Sequence, residues 1–338
     1  MTAHSTTPLK FLAPGWFVIV MGLCGLALAW QQATPLMGEL AAAGALVLGA
    51  VAALVALVLT GASLLRWQRY PQALADDLQH PVRHAFVAAM PIALILLATL
   101  ATALLGPSLP VRLVWGAGAV WQFGVTVWVL SRWLQPGAGK PGGPLWPGIT
   151  PVLLLPVVGN VLVALAGVGL GFPGWSAAQL GIGLVLWLLV LALLLVRIGL
   201  NGLWSERLLP TTFITMSPPS VIGLAALQLG APTTLAWMCW GVALLFGAWS
   251  ASVFKRALSQ PFTLTFWALS FPLAALAALT LRLAADAPGL FRVLAMAALA
   301  LASLVVAALS LATVKGLRDG SLLAPEPVAM LNVVGSTA

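Results

Sequence analysis

Ten long apolar stretches divide this chain, and every second one carries a proline at its start or in its interior. They span 12–31, 37–65, 84–106, 111–133, 149–170, 175–199, 211–229, 232–254, 263–284 and 290–314. A helix needs about 20 apolar residues to cross a hydrocarbon core, so each stretch is long enough to do so. Pro14 lies at the start of the first. Pro91, Pro156, the pair Pro218 and Pro219, and Pro272 interrupt the third, fifth, seventh and ninth. The intervening stretches have none in their interiors; Pro232 only opens the eighth. An internal proline deletes one backbone hydrogen bond and bends the helix. In lipid the freed carbonyl must be satisfied by protein or water. The alternation therefore predicts bent helices around a passage and straight helices facing lipid.

The expected fold is an all-α integral membrane protein forming a single transmembrane domain over 1–338. Its ten transmembrane helices would form five helical hairpins with pseudo-five-fold symmetry around a central pore, the bent member first in each. Composition agrees: 62% of residues are hydrophobic and 7% charged, with a mean hydropathy of +1.08, far from a soluble domain. The strand alternation of an outer-membrane barrel is absent. The first stretch is too long for a cleaved signal peptide and runs straight into a second, so it is expected to be retained.

Lysine and arginine set the orientation. Lys10, Arg66, Arg69, Arg83, Arg132, Lys140, Arg197, Arg207, Lys255, Arg256, Lys315 and Arg318 fall on one side, against Arg112, Arg282 and Arg292 on the other. Both termini are therefore expected to be cytoplasmic, in a cell membrane (the inner membrane in a bacterium). This bias accounts for the net charge of +8; with no basic patch on a soluble domain, nucleic acid is not an expected partner. Several tryptophans, including Trp30, Trp133, Trp146, Trp175 and Trp204, lie at span ends, where an interfacial belt would place them.

Catalysis has little to work with. The middles of the spans contain no Asp, Glu, Lys or Arg, and the histidines, His4, His80 and His84, lie near one side. Cys24 and Cys239 have no companions for a metal or a disulfide and read as packing residues. The glycine- and proline-rich stretch Pro136–Pro147 contains Gly-Lys but no following Ser or Thr, so a linker is expected there rather than a phosphate loop. The pair Asp76–Asp77 reads as a solvated loop face, able to pair with Arg69 or Arg83. No metal or cofactor is expected. Permeation remains: a pore without fixed charge binds ions weakly, which permits fast exit. Because a carbonyl oxygen repels an anion, the prolines are assigned a geometric role, shaping the passage.

Several segments carry a resemblance. Ala13-Pro-Gly-Trp-Phe-Val-Ile-Val-Met-Gly22, His80-Pro-Val-Arg83 followed by Phe86 and Pro91, Leu209-Pro-Thr-Thr-Phe-Ile-Thr-Met-Ser-Pro-Pro219 and Phe266-Trp-Ala-Leu-Ser-Phe-Pro-Leu273 occur in order, with a looser segment from Pro151 to Asn160. Together they resemble helices of the tellurite-resistance/dicarboxylate transporter family, which includes the plant slow-type anion channels. The resemblance implies a homotrimer with one pore per subunit and a phenylalanine on the ninth helix that occludes the pore; the matching position is Phe271. Phe213 is similarly placed before Pro218 and either lines the passage or packs between helices. Gly22 and Gly25 either line it or let helices approach closely. Arg83 either attracts anions at a pore mouth or contacts headgroups. The expected function is an anion channel or transporter for small anions, with a proton-linked carrier or exporter of dicarboxylates, sulphite or tellurite-related oxyanions as the alternative.

Overall fold

Backbone groups in hydrocarbon find partners most simply inside a helix, and every regular element among the described residues is helical. The computed structural model describes residues 8–137, 145–285, 287 and 289–324. His4, Lys140 and most of the linker expected at Pro136–Pro147 lie outside them. Ten apolar helices follow one another: α1 (Pro14–Gln32), α2 (Glu39–Arg69), α3 (Arg83–Leu105), α4 (Leu109–Leu134), α5 (Pro151–Gly167), α6 (Pro173–Asn201), α7 (Glu206–Gln228), α8 (Thr233–Leu258), α9 (Leu264–Ala284) and α10 (Gly289–Arg318). Nine of them are long and apolar enough to cross a membrane; α5 is shorter than its 149–170 stretch suggests. At 1.5 Å per residue its length is about 25 Å. It needs no direct match to the bilayer, because nearly every one of its residues is buried in protein.

The proline-bearing helices share a second feature that the sequence did not announce. Each opens with a 3₁₀ segment: Pro14–Phe17, Arg83–Ala88, Pro151–Leu153, Glu206–Met216 and Leu264–Leu269. The α-helical part then begins at Val18, Ala89, Leu154, Ser217 and Ser270. Pro91, Pro156, Pro219 and Pro272 each stand third in that α-helical part, and Pro218 second. Their position in long apolar stretches predicts mid-helix breaks. They instead mark the junction where tight i→i+3 winding gives way to the α-helix, in a first turn that can dispense with the missing N–H. At α7 the carbonyl that Pro218 frees is accounted for: Ile214 O accepts from the Ser217 backbone N–H and from Ser217 Oγ at 2.8 Å.

Burial divides the helices as the prolines do. Between 56% and 89% of the residues in the spanning windows of α1, α3, α7 and α9 are buried, against 11% to 39% in α2, α4, α6, α8 and α10. The buried helices touch in a closed cycle: α1 packs on α3, α3 on α5, α5 on α7, α7 on α9, and α9 on α1. Each exposed helix packs on the buried helix before it in the chain and also on the next one round the cycle, α10 reaching back to α1. Indole N–H groups tie the two layers together. Trp30 donates to Ser303 Oγ at 3.1 Å, Trp115 to the Val163 carbonyl at 3.1 Å, Trp240 to Thr280 Oγ1 at 3.0 Å and Trp267 to Thr313 Oγ1 at 2.8 Å. Trp204, expected in an interfacial belt, is buried beneath the Arg197 guanidinium, 5.9 Å from its ring.

The connection between α2 and α3 contains a short helix, Pro71–Gln79. Ala73 and Asp77 stand one turn apart on the same face, and both are buried. Asp76 faces outward and meets Gln72. The expectation of a solvated acidic pair thus fails for Asp77. It is only 2% exposed, and its partners are Arg66, at 2.7 Å, and Arg83, at 3.2 Å. The helical period is the cause: it turns one of two adjacent carboxylates inward.

Candidate functional site

One small cavity, about 30 Å³ in volume, is lined by residues from all five buried helices. Val18 and Met21 come from α1, Phe86 from α3, Leu155 from α5, Ile214 and Ser217 from α7, and Thr265, Ala268 and Phe271 from α9. All lie in the opening 3₁₀ segments of their helices or within about one turn after them. The 3₁₀ segments explain how α9 presents its row. At three residues per turn, side chains at i and i+3 eclipse one another, so Thr265 and Ala268 stand in line within the 3₁₀ segment, with Leu264 and Trp267 beside them and Phe271 one turn on in the α-helical part. The cavity wall is apolar apart from Ser217 and Thr265, and the Ser217 hydroxyl is engaged with Ile214 O.

Phe271 and Pro272 are neighbours in this wall, and Phe271 is 8% exposed. The phenyl ring rests on α1. A Cβ added at Gly25 would stand 2.8 Å from Phe271 Cδ2 and 3.4 Å from Ala274 Cβ, and one at Gly22 would collide with the Ser270 hydroxyl. Both glycines are therefore points of close approach between α1 and α9, and neither lines the cavity. Phe213 is not brought to this wall. Its ring meets Phe254 edge to face, with centroids 5.5 Å apart, and packs with Met216 and Leu269 towards α8. Of the prolines expected to shape the passage, Pro272 lines the cavity. Pro91, Pro156, Pro218 and Pro219 are buried at their helix junctions.

Arg83 opens the 3₁₀ segment of α3, one turn before Phe86. Its Nη1 pairs with Asp77 Oδ1, while its Nε is buried without a partner. Asp77 Oδ2 is taken by Arg66, whose guanidinium also donates to the carbonyls of Lys10 and Ala73. His80 caps the same turn: its Nδ1 accepts from the backbone N–H groups of Val82 and Arg83, each at 3.1 Å. Burial, assisted by the Arg83 charge, pushes the His80 imidazole down to about 4, so the ring is neutral at ordinary pH and free to accept these bonds.

Sequence reasoning missed a buried amide cluster between α4 and α5. Gln122 Nε2 and Thr126 Oγ1 donate to the Pro156 carbonyl at 2.7 and 2.6 Å, and Asn160 Nδ2 donates to Thr126 Oγ1 at 2.7 Å. The cluster fastens the proline junction of α5 to its neighbour. Its three side chains lie on two stretches, Gln122 and Thr126 on the fourth and Asn160 on the fifth, and bear no charge, so the sequence does not show that they meet. Among the described residues no group of three or more His, Cys, Asp or Glu is placed to hold a metal.

A ring of buried helices around a small, largely apolar cavity, jacketed by helices that expose leucine and valine, is the architecture of a polytopic membrane protein. The family model described as voltage-dependent anion channel matches residues 12–314, and the chain belongs to that family, SLAC1, the one its helix segments resemble. It is also similar to an uncharacterized transporter of Methanocaldococcus jannaschii, 24% identical over 238 residues that cover 62% of this chain and 67% of the relative. Membership makes the protein an anion channel or transporter.

Proposed function

We propose that the protein passes small anions along the axis of the buried helices and that Phe271 closes that path. The supporting observation is the cavity to which all five buried helices contribute, with Phe271 in its wall. The cavity, about 30 Å³ in volume, has room for no more than a few water molecules, and in this reading the Phe271 ring stands across the way out of it. Conduction therefore requires the ring to move. In this reading the contact cycle of α1, α3, α5, α7 and α9 is a pseudo-five-fold ring, each buried helix forming a hairpin with the exposed helix that follows. The chain assembles as a homotrimer with one pore per subunit, and both termini are cytoplasmic, which puts the cavity at the cytoplasmic end.

The test is anion flux in proteoliposomes. Phe271→Ala is expected to raise chloride or nitrate flux at least tenfold over the parent protein, at equal incorporation. A monodisperse variant with unchanged flux refutes the gate. Running the same assay with and without a proton gradient separates passive flow from proton-linked carriage of dicarboxylates or oxyanions, since only the latter responds to the gradient.

A further inference from the structure

We propose that Arg83 is the anion-recruiting residue at the entrance to the passage and that Asp77, itself held by Arg66, positions it there. The inference deepens the proposed function and rests on it for the location of the passage.

The placement follows from helix type. In a 3₁₀ segment residues three apart stand on one face. Stepping out by three residues from the outermost cavity residue on the four helices whose 3₁₀ segment reaches that far gives Gly15 from Val18, Arg83 from Phe86, Val152 from Leu155 and Thr211 from Ile214. Arg83 is the one charged side chain in that ring. Its neighbour across the ring is also close: a Cβ on Gly15 would lie 3.4 Å from the Phe86 ring, so the α1 position beside Arg83's turn is bare of side chain.

The guanidinium is held by one edge. Nη1 is committed to Asp77 Oδ1 at 3.2 Å, in a pair whose Asp77 side chain is 3% exposed and whose Arg83 side chain is 33% exposed. Nε–H is buried and without a partner. Leaving a buried donor unpaired is unfavourable, and an anion that accepts from it removes that penalty. The cluster also has charge to spare. One carboxylate faces two guanidinium groups, Arg66 at 2.7 Å and Arg83 at 3.2 Å, so it carries a net +1 when all three are ionised. The two arginines are not equivalent. Arg66 is 6% exposed and its donors go to Asp77 and to the Lys10 and Ala73 carbonyls, which makes it structural. Arg83 is the more open of the two and is the one whose exposed part can meet an ion arriving from solution, with the buried Nε–H as a second donor once the ion has seated. A rigid, planar guanidinium anchored at one edge keeps its orientation while the other edge binds. Asp77 thus acts through Arg83, as a positioning residue.

The ligand class is a small inorganic anion with exposed acceptor character, such as chloride or nitrate. Recruitment by a single half-buried charge is weak and screened by salt, as a conduction path requires.

Two measurements test this. The first is chloride binding, read as ³⁵Cl NMR line broadening on the purified protein at low ionic strength. Arg83→Gln is expected to weaken binding about tenfold, the loss of one hydrogen bond to an ion, and Arg83→Lys to restore part of it. Asp77→Glu keeps the charge and lengthens the tether by one methylene. It is expected to remain folded and to weaken binding by a smaller factor, an effect that a merely structural Asp77 would not produce. Broadening that is the same in Arg83→Gln as in the parent overturns the proposal. The second is flux in the Phe271→Ala background, where Arg83→Gln is expected to raise the half-saturating anion concentration and to flatten the dependence on ionic strength. If Phe271→Ala opens nothing while binding still depends on Arg83, the gate reading fails and the recruitment site stands.

Discussion

At the scale of single residues, the contact between Gly25 and Phe271 gives the sharpest handle on the proposed gate. The absent Cβ at Gly25 is what allows the phenyl ring its seat, since a methyl group there would come within 2.8 Å of Cδ2. Gly25→Ala is expected to destabilise the protein by about 1–3 kcal/mol, the usual cost of overpacking. In a Phe271→Ala background the obstacle is gone, and the same substitution is expected to cost less than about 0.5 kcal/mol. The coupling is read from a double-mutant cycle of thermal unfolding in detergent. Additive effects would mean that the ring does not rest on Gly25. What the sequence could say about such residues varied with how local their surroundings are. Phe271 could be singled out because a motif and a proline mark it. Gly22 and Gly25 could not be resolved between lining and close approach, because that depends on which residues of α9 lie opposite. Asp77 was read as solvated for a similar reason: the sequence shows two adjacent carboxylates, and only the helix period of Pro71–Gln79 decides which one turns inward.

At the scale of the element, the proline junctions replace a simpler picture. Were Pro272 in the middle of an α-helix, its replacement would restore a lost bond and relieve a clash worth about 3 kcal/mol. It stands third in the α-helical part of α9, directly after the 3₁₀ segment Leu264–Leu269, where the ring costs little. Pro272→Ala is therefore expected to change stability by less than about 1 kcal/mol, the scale of the entropy that a proline removes from the unfolded chain. Chemical denaturation of the purified protein checks this; a stabilisation of about 3 kcal/mol would restore the mid-helix reading. The helical membrane class was legible because apolar length and charge placement are local properties of the chain. The 3₁₀ openings were not, since they share composition with the α-helices they lead into and differ in a winding that depends on neighbouring helices. The shortness of α5 has the same origin. Its ends are set by the protein that encloses it rather than by the bilayer, so its apolar run overstates its length.

At the scale of the whole molecule, the proposed function reduces to a statement about sidedness. If Phe271 is the barrier, positions on the two sides of it belong to different aqueous compartments. Ser217 lies in the cavity wall with Phe271 and is 4% exposed. Replaced by cysteine, it becomes a reporter for a small, negatively charged thiol reagent, which reaches the roughly 30 Å³ cavity as its lining fluctuates. Native Cys24 is fully buried, and Cys239, on the exposed helix α8, is first replaced by alanine to silence it. With the reagent added from one side of sealed vesicles, Ser217→Cys is expected to react only from the side on which the buried helices begin, which the charge bias assigns to the cytoplasm. Adding Phe271→Ala is expected to make it reactive from both sides, with the rate from the far side rising by tenfold or more. Reaction from the far side alone would invert the topology. Equal reaction from both sides in the parent would place the barrier elsewhere than at Phe271. The barrier also has to be local for the architecture to make sense: an apolar wall without fixed charge lets an anion leave as readily as it enters, so one movable ring is enough to decide between a closed path and an open one.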